Sequence, residues 1–304
     1  SPSKRSSRGC AGTTEMFSYY AMKVLSRLIC LLPHGVAMAL GEGLARLAWI
    51  FVPARRKRLA RTQVMNCLHV PEAEAERIAR ASSLRFGPML MEVLRFPVIK
   101  PRMSEYVTMT GAVDALHAAA AAGKGAIFAT SHSGNWELMG GAFACAGLPV
   151  VGVAKKQSAQ GMDRFINEYR ALVGMHITYQ TGVREMFRMI DAGWIIGLIS
   201  DQDPSLRDGV IVDFFGQRTN AFTGAAAIAR RCGVPIFPVF IHREPNGHHI
   251  LTVDPPIMVE KTDDRAADVL RVTQRINTRI EEWIRTYPEE WFWLHDRWKS
   301  LREE

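Results

Sequence analysis

Residues 125–147 read GAIFATSHSGNWELMGGAFACAG, and this stretch changes from apolar to polar and back to apolar. The run GAIFAT at 125–130 predicts a short buried strand, and the segment 135–146 predicts a helix. Between them lies a polar turn containing His132 and Gly134, with Glu137 in the opening turns of the helix. Because open α/β sheets place their sites at the carboxyl ends of strands, this turn is the first candidate for a functional site.

His132 and Glu137 form a candidate catalytic pair. Neighbours on a helix lie three or four positions apart, so these two side chains can meet only through the turn that Gly134 permits. In such a pair the imidazole accepts a proton from a hydroxyl, while the carboxylate orients the ring and stabilises imidazolium. The alternative is a histidine that caps a strand end beside a surface salt bridge of Glu137, and the short motif alone does not decide between them.

The sequence contains no G-x-S-x-G elbow and no cysteine placed as an obvious nucleophile. A covalent enzyme intermediate is therefore less favoured than direct attack by a substrate hydroxyl. The turn thus predicts acyl transfer within a ternary complex of the protein, an acyl donor and an acceptor.

Strands and helices alternate along most of the chain. Helices separated by short apolar runs indicate crossover connections and a mostly parallel central sheet flanked by helices, an α/β fold. Strands are predicted near 125–130, 149–154, 176–180, 194–200, 234–241 and 249–253. Helices are predicted near 71–95, 112–122, 135–146, 160–173, 182–192, 223–232 and 263–286.

The N-terminal segment 16–52 is apolar but interrupted by charges, and its longest uncharged run, 28–41, is shorter than the roughly 20 residues of a spanning helix. The basic sequence ARRKRLAR follows at 54–61. An apolar face beside a basic cluster favours attachment to an anionic membrane surface. The alternative is a helix packed on the domain with solvated arginines.

The sequence is expected to divide into three parts. They are a polar start at 1–15, disordered or expression-derived, membrane-associated helices at 16–70 and a catalytic domain at 71–304.

The chain has 38 Lys and Arg residues against 30 Asp and Glu residues, and the net charge of +8 favours anionic partners. Nucleic acid is a weaker candidate than a membrane, because the basic residues adjoin an apolar helix rather than a platform of aromatic side chains. The five cysteines are scattered and lack metal-binding spacing, so reduced thiols are the simplest interpretation.

Three segments together resemble one protein family: HSGNWE at 132–137, the long stretch 181–240 with its G-V-R, D-Q-D and F-F-G sequences, and YPEEWFWLHDRWK at 287–299. The resemblance is to the lipid A late acyltransferase branch of the lysophospholipid acyltransferase-like superfamily, and it covers about residues 16–299. It implies a sheet wrapped by helices at the cytoplasmic face of the inner membrane. The implied reaction is acyl transfer from acyl carrier protein or coenzyme A to a lipid hydroxyl.

The resemblance implies no metal or organic cofactor. A lipid A precursor is the leading acceptor, and phosphatidylinositol mannosides, lysophospholipids and other bacterial lipids remain open. Three departures stand out. The membrane-spanning N-terminal helix expected of the branch is weak here, and Asp296 lies where the branch more often has a basic residue. The F-P-E-G-T-R-S-like motif of glycerophosphate acyltransferases is absent. Glycerol 3-phosphate is therefore a poor acceptor candidate.

Carried over position by position, the resemblance makes His132 the general base and Glu137 its partner. It assigns Arg164 and Arg184 to substrate binding, although surface ion pairs are equally compatible with both. Asp201 is expected in the site, where it orients an arginine, or alternatively caps a turn with Asp203. Thr223 is a candidate for the N-cap of the following helix. Backbone amides near 133–135, or an arginine, are candidates for stabilising the oxyanion.

Two other functions compete with acyl transfer. The D-Q-D sequence, with Asp201 and Asp203, also suits a divalent ion in a metal-dependent glycosyltransferase, but it leaves His132 and Glu137 without a task. A lipid-binding protein without enzymatic activity fits the basic charge and the apolar N-terminal segment, and it predicts that His132→Ala leaves function intact.

Overall fold

The structure, a computed structural model, describes residues 6–154, 159–179 and 182–302, with side chains from residue 16 onward. Seven helices come first, and a 3-10 turn, Lys100–Arg102, separates the last two. They are α1 (Ser6–Leu31), α2 (His34–Phe51), α3 (Ala54–Leu68), α4 (Glu72–Leu84), α5 (Phe86–Leu94), α6 (Phe96–Ile99) and α7 (Met103–Tyr106).

The remaining chain alternates strands and helices. The strands are β1 (Val107–Gly111), β2 (Ala126–Thr130), β3 (Val150–Ala154), β4 (His176–Tyr179), β5 (Ile195–Ile199), β6 (Gly209–Phe214), β7 (Gln217–Phe222), β8 (Ile236–Arg243) and β9 (His249–Val253). The helices are α8 (Val113–Ala121), α9 (Trp136–Cys145), α10 (Gln160–Leu172), α11 (Val183–Asp191), α12 (Gly224–Cys232), α13 (Arg265–Thr286) and α14 (Lys299–Arg302), with a 3-10 turn at Pro288–Glu290.

Seven strands form the central sheet in the order β1-β9-β8-β2-β5-β3-β4. All neighbours are parallel except β8 and β9, which form an antiparallel pair. The prediction of a mostly parallel sheet flanked by helices is confirmed. All six predicted strands are present within a few residues of their predicted bounds, although residue 180, the end of the fourth one, lies outside the described residues.

The strand β2 lies at the centre of the sheet and is buried on both faces. Phe128 packs into the apolar cluster on one face, together with Leu138 and Phe143 of α9. Ile127 and Ala129 pack into the cluster on the other face. Alternate residues of a strand point to opposite faces, so this apolar run supplies both layers of the core and holds its carboxyl end rigidly.

Two strand regions escape the sequence patterns. The edge strand β1 pairs only with β9 and exposes Thr108 and Thr110, so it lacks a continuous apolar run. The hairpin of β6 and β7 pairs only with itself, and its turn places Phe215 and Gly216 at positive φ.

The prediction of a single helix at 71–95 is wrong, because the segment divides at Arg85 into α4 and α5. Pro88 then falls in the first turn of α5, where a missing amide hydrogen is tolerated.

The helix α2 crosses α5 at two glycines. A Cβ atom added to Gly87 would lie 2.0 Å from the carbonyl oxygen of Gly41, so the two backbones touch. The buried face of α2 consists of Ala37, Met38, Gly41 and Trp49. Six other large apolar side chains of this helix are exposed: Val36, Leu40, Leu44, Leu47, Ile50 and Phe51. Within the described ranges, no single helix is long and apolar enough to span a membrane; only α2 and α3 combined, bent by 106°, have the length and composition. The division of the chain at residues 15 and 70 stays a prediction.

Candidate active site

The first residues of the site follow two neighbouring strands. Because β2 and β5 are parallel partners, with Thr130 opposite Ile199, the segments after them emerge side by side. Nδ1 of His132 lies 2.7 Å from Oδ1 of Asp201, and the backbone amide of His132 donates to Oδ2 at 2.8 Å. Asp201 thus holds both the ring and the main chain of His132. The expectation that Asp201 orients an arginine is corrected, because its carboxylate bonds His132 instead.

Asp201 is only 2% exposed, and the indole Nε1 of Trp291 also donates to it, at 2.7 Å. Burial by itself would raise the pKa of Asp201, but the charge of His132 and the hydrogen bonds from His132 and Trp291 outweigh it and lower this pKa to about 2. An ionised carboxylate accepts hydrogen bonds only, so Nδ1 of His132 carries the hydrogen. In the neutral ring, Nε2 is left with a lone pair that can take a proton.

The surroundings of Nε2 are partly open. The side chain of His132 is 22% exposed, and the amide nitrogen of Gln202 lies 3.5 Å from Nε2. The ring of Trp136 packs edge-on against the imidazole, with ring centroids 5.1 Å apart and an interplanar angle of 80°. A hydroxyl group can therefore approach Nε2 from solvent while the ring is held on its other sides.

Glu137 contacts Arg170 rather than His132. Its two carboxylate oxygens accept hydrogen bonds from Arg170 Nε at 2.8 Å and from Nη2 at 2.6 Å. The prediction that Glu137 orients the imidazole is corrected, because Asp201 occupies Nδ1. The physical reason is that Glu137 is the second residue of α9, whose continuous helix turns this side chain toward α10. Burial acts to lower the pKa of Arg170, but the hydrogen bonds and the charge of Glu137 together outweigh burial and raise this pKa.

The turn between β2 and α9 is fixed from several directions. Arg85 donates to the carbonyl oxygen of Gly134 at 2.6 Å and to that of His132 at 2.9 Å, and the amide of Gly134 donates to the carbonyl of Glu290 at 3.1 Å. Gly134 has φ +58°, and a Cβ atom there would lie 2.0 Å from the carbonyl oxygen of Ile241. Only glycine fits this position.

These contacts narrow the search for an oxyanion donor. The amide of Gly134 was one of the candidates near 133–135, but it is already bonded to the carbonyl of Glu290. The side chain of Asn135 caps α9 by accepting from the amide of Leu138 at 3.0 Å. Gly134 is therefore removed from the oxyanion candidates.

The other predicted site residues lie apart from His132. The guanidinium of Arg164 stacks over the ring of Tyr19 at 4.3 Å, on α1. Arg184 is exposed in the first turn of α11. Asp203 accepts from the backbone amide and the hydroxyl of Ser300, at 2.6 and 2.7 Å. Thr223 lies at the predicted N-cap position of α12, although its side chain makes no capping hydrogen bond.

The D-Q-D sequence does not behave as a metal-binding pair. Asp201 is bonded to His132 and Trp291, whereas Asp203 is bonded to Ser300, so the two carboxylates serve different partners. In the described part of the chain, no group of three or more His, Cys, Asp or Glu side chains is arranged to hold a metal ion. The donor set therefore gives no support to the glycosyltransferase alternative.

Four residues that contact the candidate site were missed by the sequence patterns: Arg85, Arg170, Trp291 and His295. His295 Nε2 accepts from the amide of Asp203 at 3.2 Å, and burial lowers the pKa of His295. Both Trp291 and His295 belong to the C-terminal segment 287–299, whose resemblance to the family was a usable signal. Arg85 had no such signal, because an arginine inside the single helix predicted at 71–95 looks like an ordinary surface residue.

An apolar cavity of about 290 Å³ lies between α2 and α5. Phe86 lines it, and the ring of Phe86 packs against Trp136 with centroids 6.0 Å apart. Trp136 in turn touches His132, so two aromatic rings connect the cavity to the imidazole. The cavity is also lined by Leu44, Trp49, Leu90 and Leu294.

Comparisons of the sequence with known proteins find one family and several similar chains. The sequence model of a family described as bacterial lipid A biosynthesis acyltransferase matches residues 11–300. A phosphatidylinositol mannoside acyltransferase of Mycolicibacterium smegmatis is 30% identical over 280 residues, covering 90% of this chain and 88% of that protein. One of Mycobacterium tuberculosis is 30% identical over 251 residues, covering 80% and 76%. A lipid A biosynthesis lauroyltransferase of Escherichia coli is 24% identical over 279 residues, covering 91% and 89%.

Proposed function

The chain belongs to the bacterial lipid A biosynthesis acyltransferase family and is an O-acyltransferase, and from this premise we propose that His132 is its general base and Asp201 the carboxylate that orients it. The observation that carries this proposal is the 2.7 Å contact between Nδ1 of His132 and Oδ1 of Asp201. The family resemblance of the sequence is confirmed by the match over residues 11–300.

The reaction begins when Nε2 of His132 takes the proton of an acceptor hydroxyl. The hydroxyl oxygen attacks the carbonyl carbon of an acyl thioester and forms a tetrahedral intermediate with a negative oxygen. The carbon–sulfur bond then breaks, and the leaving thiolate takes the proton from the imidazolium. The products are an ester and a free thiol. Asp201 stays ionised throughout and stabilises the imidazolium that exists between the two proton transfers.

Glu137 acts through structure rather than through the proton. Its buried ion pair with Arg170 ties the first turn of α9 to α10. That turn directly follows the loop that contains His132, so the ion pair fixes the position of the backbone that carries the base. Glu137 remains in the site as a positioning residue. Its ion-pair partner is Arg170, which no sequence pattern singled out.

The cavity between α2 and α5 is proposed to hold an acyl chain. Its lining is apolar, and Phe86 and Trp136 join it to His132. An acyl chain placed there would direct its carbonyl end toward the base.

Attachment to a membrane surface is proposed for the N-terminal helices. The outward face of α2 carries large apolar side chains, and exposed Arg55, Arg56 and Arg58 follow at the start of α3. An apolar face beside a basic cluster binds a surface of anionic lipid. This location, at the cytoplasmic face of an inner membrane, would bring lipid acceptors to the cavity.

The acceptor is proposed to be a glycolipid. The names of the relatives point to two glycolipid classes, lipid A precursors and phosphatidylinositol mannosides. The donor is proposed to be an acyl thioester of acyl carrier protein or coenzyme A. Each donor is incubated with each acceptor, and the lipids are analysed by mass spectrometry.

The assay includes three variants. Asp201→Asn is expected to lower kcat on the order of 10⁴-fold, because an amide cannot stabilise imidazolium and leaves the wrong tautomer. His132→Ala is expected to lose at least as much. Asp203→Asn is the matched control, since it alters a carboxylate two positions away that does not touch His132. Equal rates for wild type, His132→Ala and Asp201→Asn would reject the mechanism.

A further inference from the structure

A buried carboxylate outside the reaction scheme lies beneath the start of α9. Glu92, on α5, is 1% exposed. Its Oε1 accepts from Nη2 of Arg243 at 2.6 Å and lies 2.9 Å from Nε2 of His249. Its Oε2 accepts from Nδ2 of Asn135 at 2.7 Å. Burial acts to raise the pKa of Glu92, but His249, Arg243 and Asn135 outweigh it and lower it.

Asn135 connects this carboxylate to the catalytic loop, by which we mean the segment 131–135 between β2 and α9. It is 2% exposed, and while its amide nitrogen donates to Glu92, its Oδ1 caps the amide of Leu138. One amide group thus has its two ends fixed by two different elements. The next residue is Trp136, whose ring packs against the imidazole of His132.

We infer that Glu92 is a positioning residue for acyl transfer: through its hydrogen bond to Asn135 it fixes the start of α9, and with it the wall that Trp136 forms beside His132. This inference rests on the proposed function of His132. It gives a task to a carboxylate that the proton transfers do not use, and to the asparagine of HSGNWE.

The geometry offers a polarity-reversal test. Glu92→Gln replaces one carboxylate oxygen by an amide nitrogen, so a single oxygen remains for Asn135 on one side and for Arg243 and His249 on the other. On one of these sides two hydrogen-bond donors then face each other, unless the amide of Asn135 turns over and loses its cap on Leu138. Asn135→Asp keeps the cap but sets two carboxylates against each other. In the double variant the new amide at position 92 donates to the new carboxylate at position 135, and its oxygen still accepts from Arg243 and His249. Every hydrogen bond of the wild type is then restored with the polarity of one reversed.

The experiment measures kcat, KM for the acyl donor and the folded fraction for wild type, both single variants and the double variant. Each single variant is expected to lower the kcat of the folded enzyme about tenfold or more, with the KM of the donor changed less than threefold. The double variant is expected to recover kcat to within about threefold of wild type.

The matched control is Asp268→Asn. Asp268 is also fully buried and bonded to two arginines, Arg230 and Arg271, but it lies on α13, away from the catalytic loop. The activity of the Asp268→Asn variant is expected to fall only in proportion to its folded fraction. The inference is overturned if the single variants behave like Asp268→Asn, or if the double variant is no more active than they are. A wild-type protein that transfers no acyl group would instead reject the proposed function.

Discussion

Trp291 donates its indole hydrogen to the same oxygen of Asp201, Oδ2, that accepts the backbone amide of His132. The C-terminal segment and the loop after β2 therefore meet on one carboxylate. This arrangement keeps Asp201 ionised although it is buried, and it leaves Oδ1 for the imidazole.

Trp291→Phe removes that indole hydrogen bond and keeps most of the ring. Because a buried carboxylate then loses one donor, we expect a loss of about 1–3 kcal/mol in unfolding free energy and a lower kcat. Trp293→Phe is the control, since Trp293 is equally buried but donates to the carbonyl of Pro288. Denaturant unfolding and initial rates measure both. Equal kcat values for the two variants would contradict a role of Trp291 at Asp201.

The stability of the protein should depend on Asp201 in acid. Its pKa falls from 3.8 to about 2 on folding, so the stabilisation is present above pH 4 and is lost as the pH falls from about 4 to 2. We expect a contribution of about 2 kcal/mol. Asp201→Asn should lack this acid-dependent part, and His132→Ala should lose most of it. Unfolding free energies measured at several pH values between 2 and 6 test this, and parallel curves for wild type and Asp201→Asn would refute it.

Glu137→Gln should separate structure from chemistry. Weakening the buried ion pair with Arg170 is expected to cost about 3 kcal/mol or more of stability. The kcat of the folded fraction should fall far less than in Asp201→Asn, because Glu137 does not touch the imidazole. Thermal unfolding and rates corrected for folded protein provide the comparison. If Glu137→Gln lowered kcat as much as Asp201→Asn at equal folded fraction, the assignment of roles would be reversed.

Gly134→Ala should be strongly disruptive. The substitution places a Cβ atom 2.0 Å from the carbonyl oxygen of Ile241 and also strains a backbone at φ +58°. Strain alone costs about 1–3 kcal/mol, and the clash adds a displacement of the catalytic loop. Gly147→Ala is the control, because Gly147 has φ +83° but nothing within 4 Å of its added Cβ atom. We expect only Gly134→Ala to lower kcat in the folded fraction; equal effects would contradict the clash.

Binding to anionic vesicles should depend on the start of α3. Replacing Arg55 and Arg58 by glutamine removes two exposed positive charges beside the apolar face of α2. At about 1 kcal/mol per charge, the affinity for vesicles containing phosphatidylserine should fall about 30-fold. The control replaces Arg265 and Arg275, which are exposed on α13, by glutamine as well. Vesicle sedimentation at several salt concentrations measures binding, and equal losses in both double variants would contradict a localised membrane surface.

Much of the fold was accessible from local patterns. Largely apolar runs of six to eight residues marked β2, β3, β5 and β8, because buried strands are apolar along most of their length. Edge strand β1 and the hairpin of β6 and β7 escaped, since half-exposed strands have no such run. The break at Arg85 was also missed, because both sides of it are helical.

For the site, local hydrophobic periodicity was enough to predict that His132 and Asp201 each follow a buried strand. It did not determine that they touch. They lie 69 positions apart, and only the pairing of β2 with β5 in the sheet brings their strand ends together. Glu137 was the nearer carboxylate along the chain, but the helix that begins at Trp136 turns it toward Arg170. Proximity along the chain suggested the wrong partner, and the order of the strands supplied the right one.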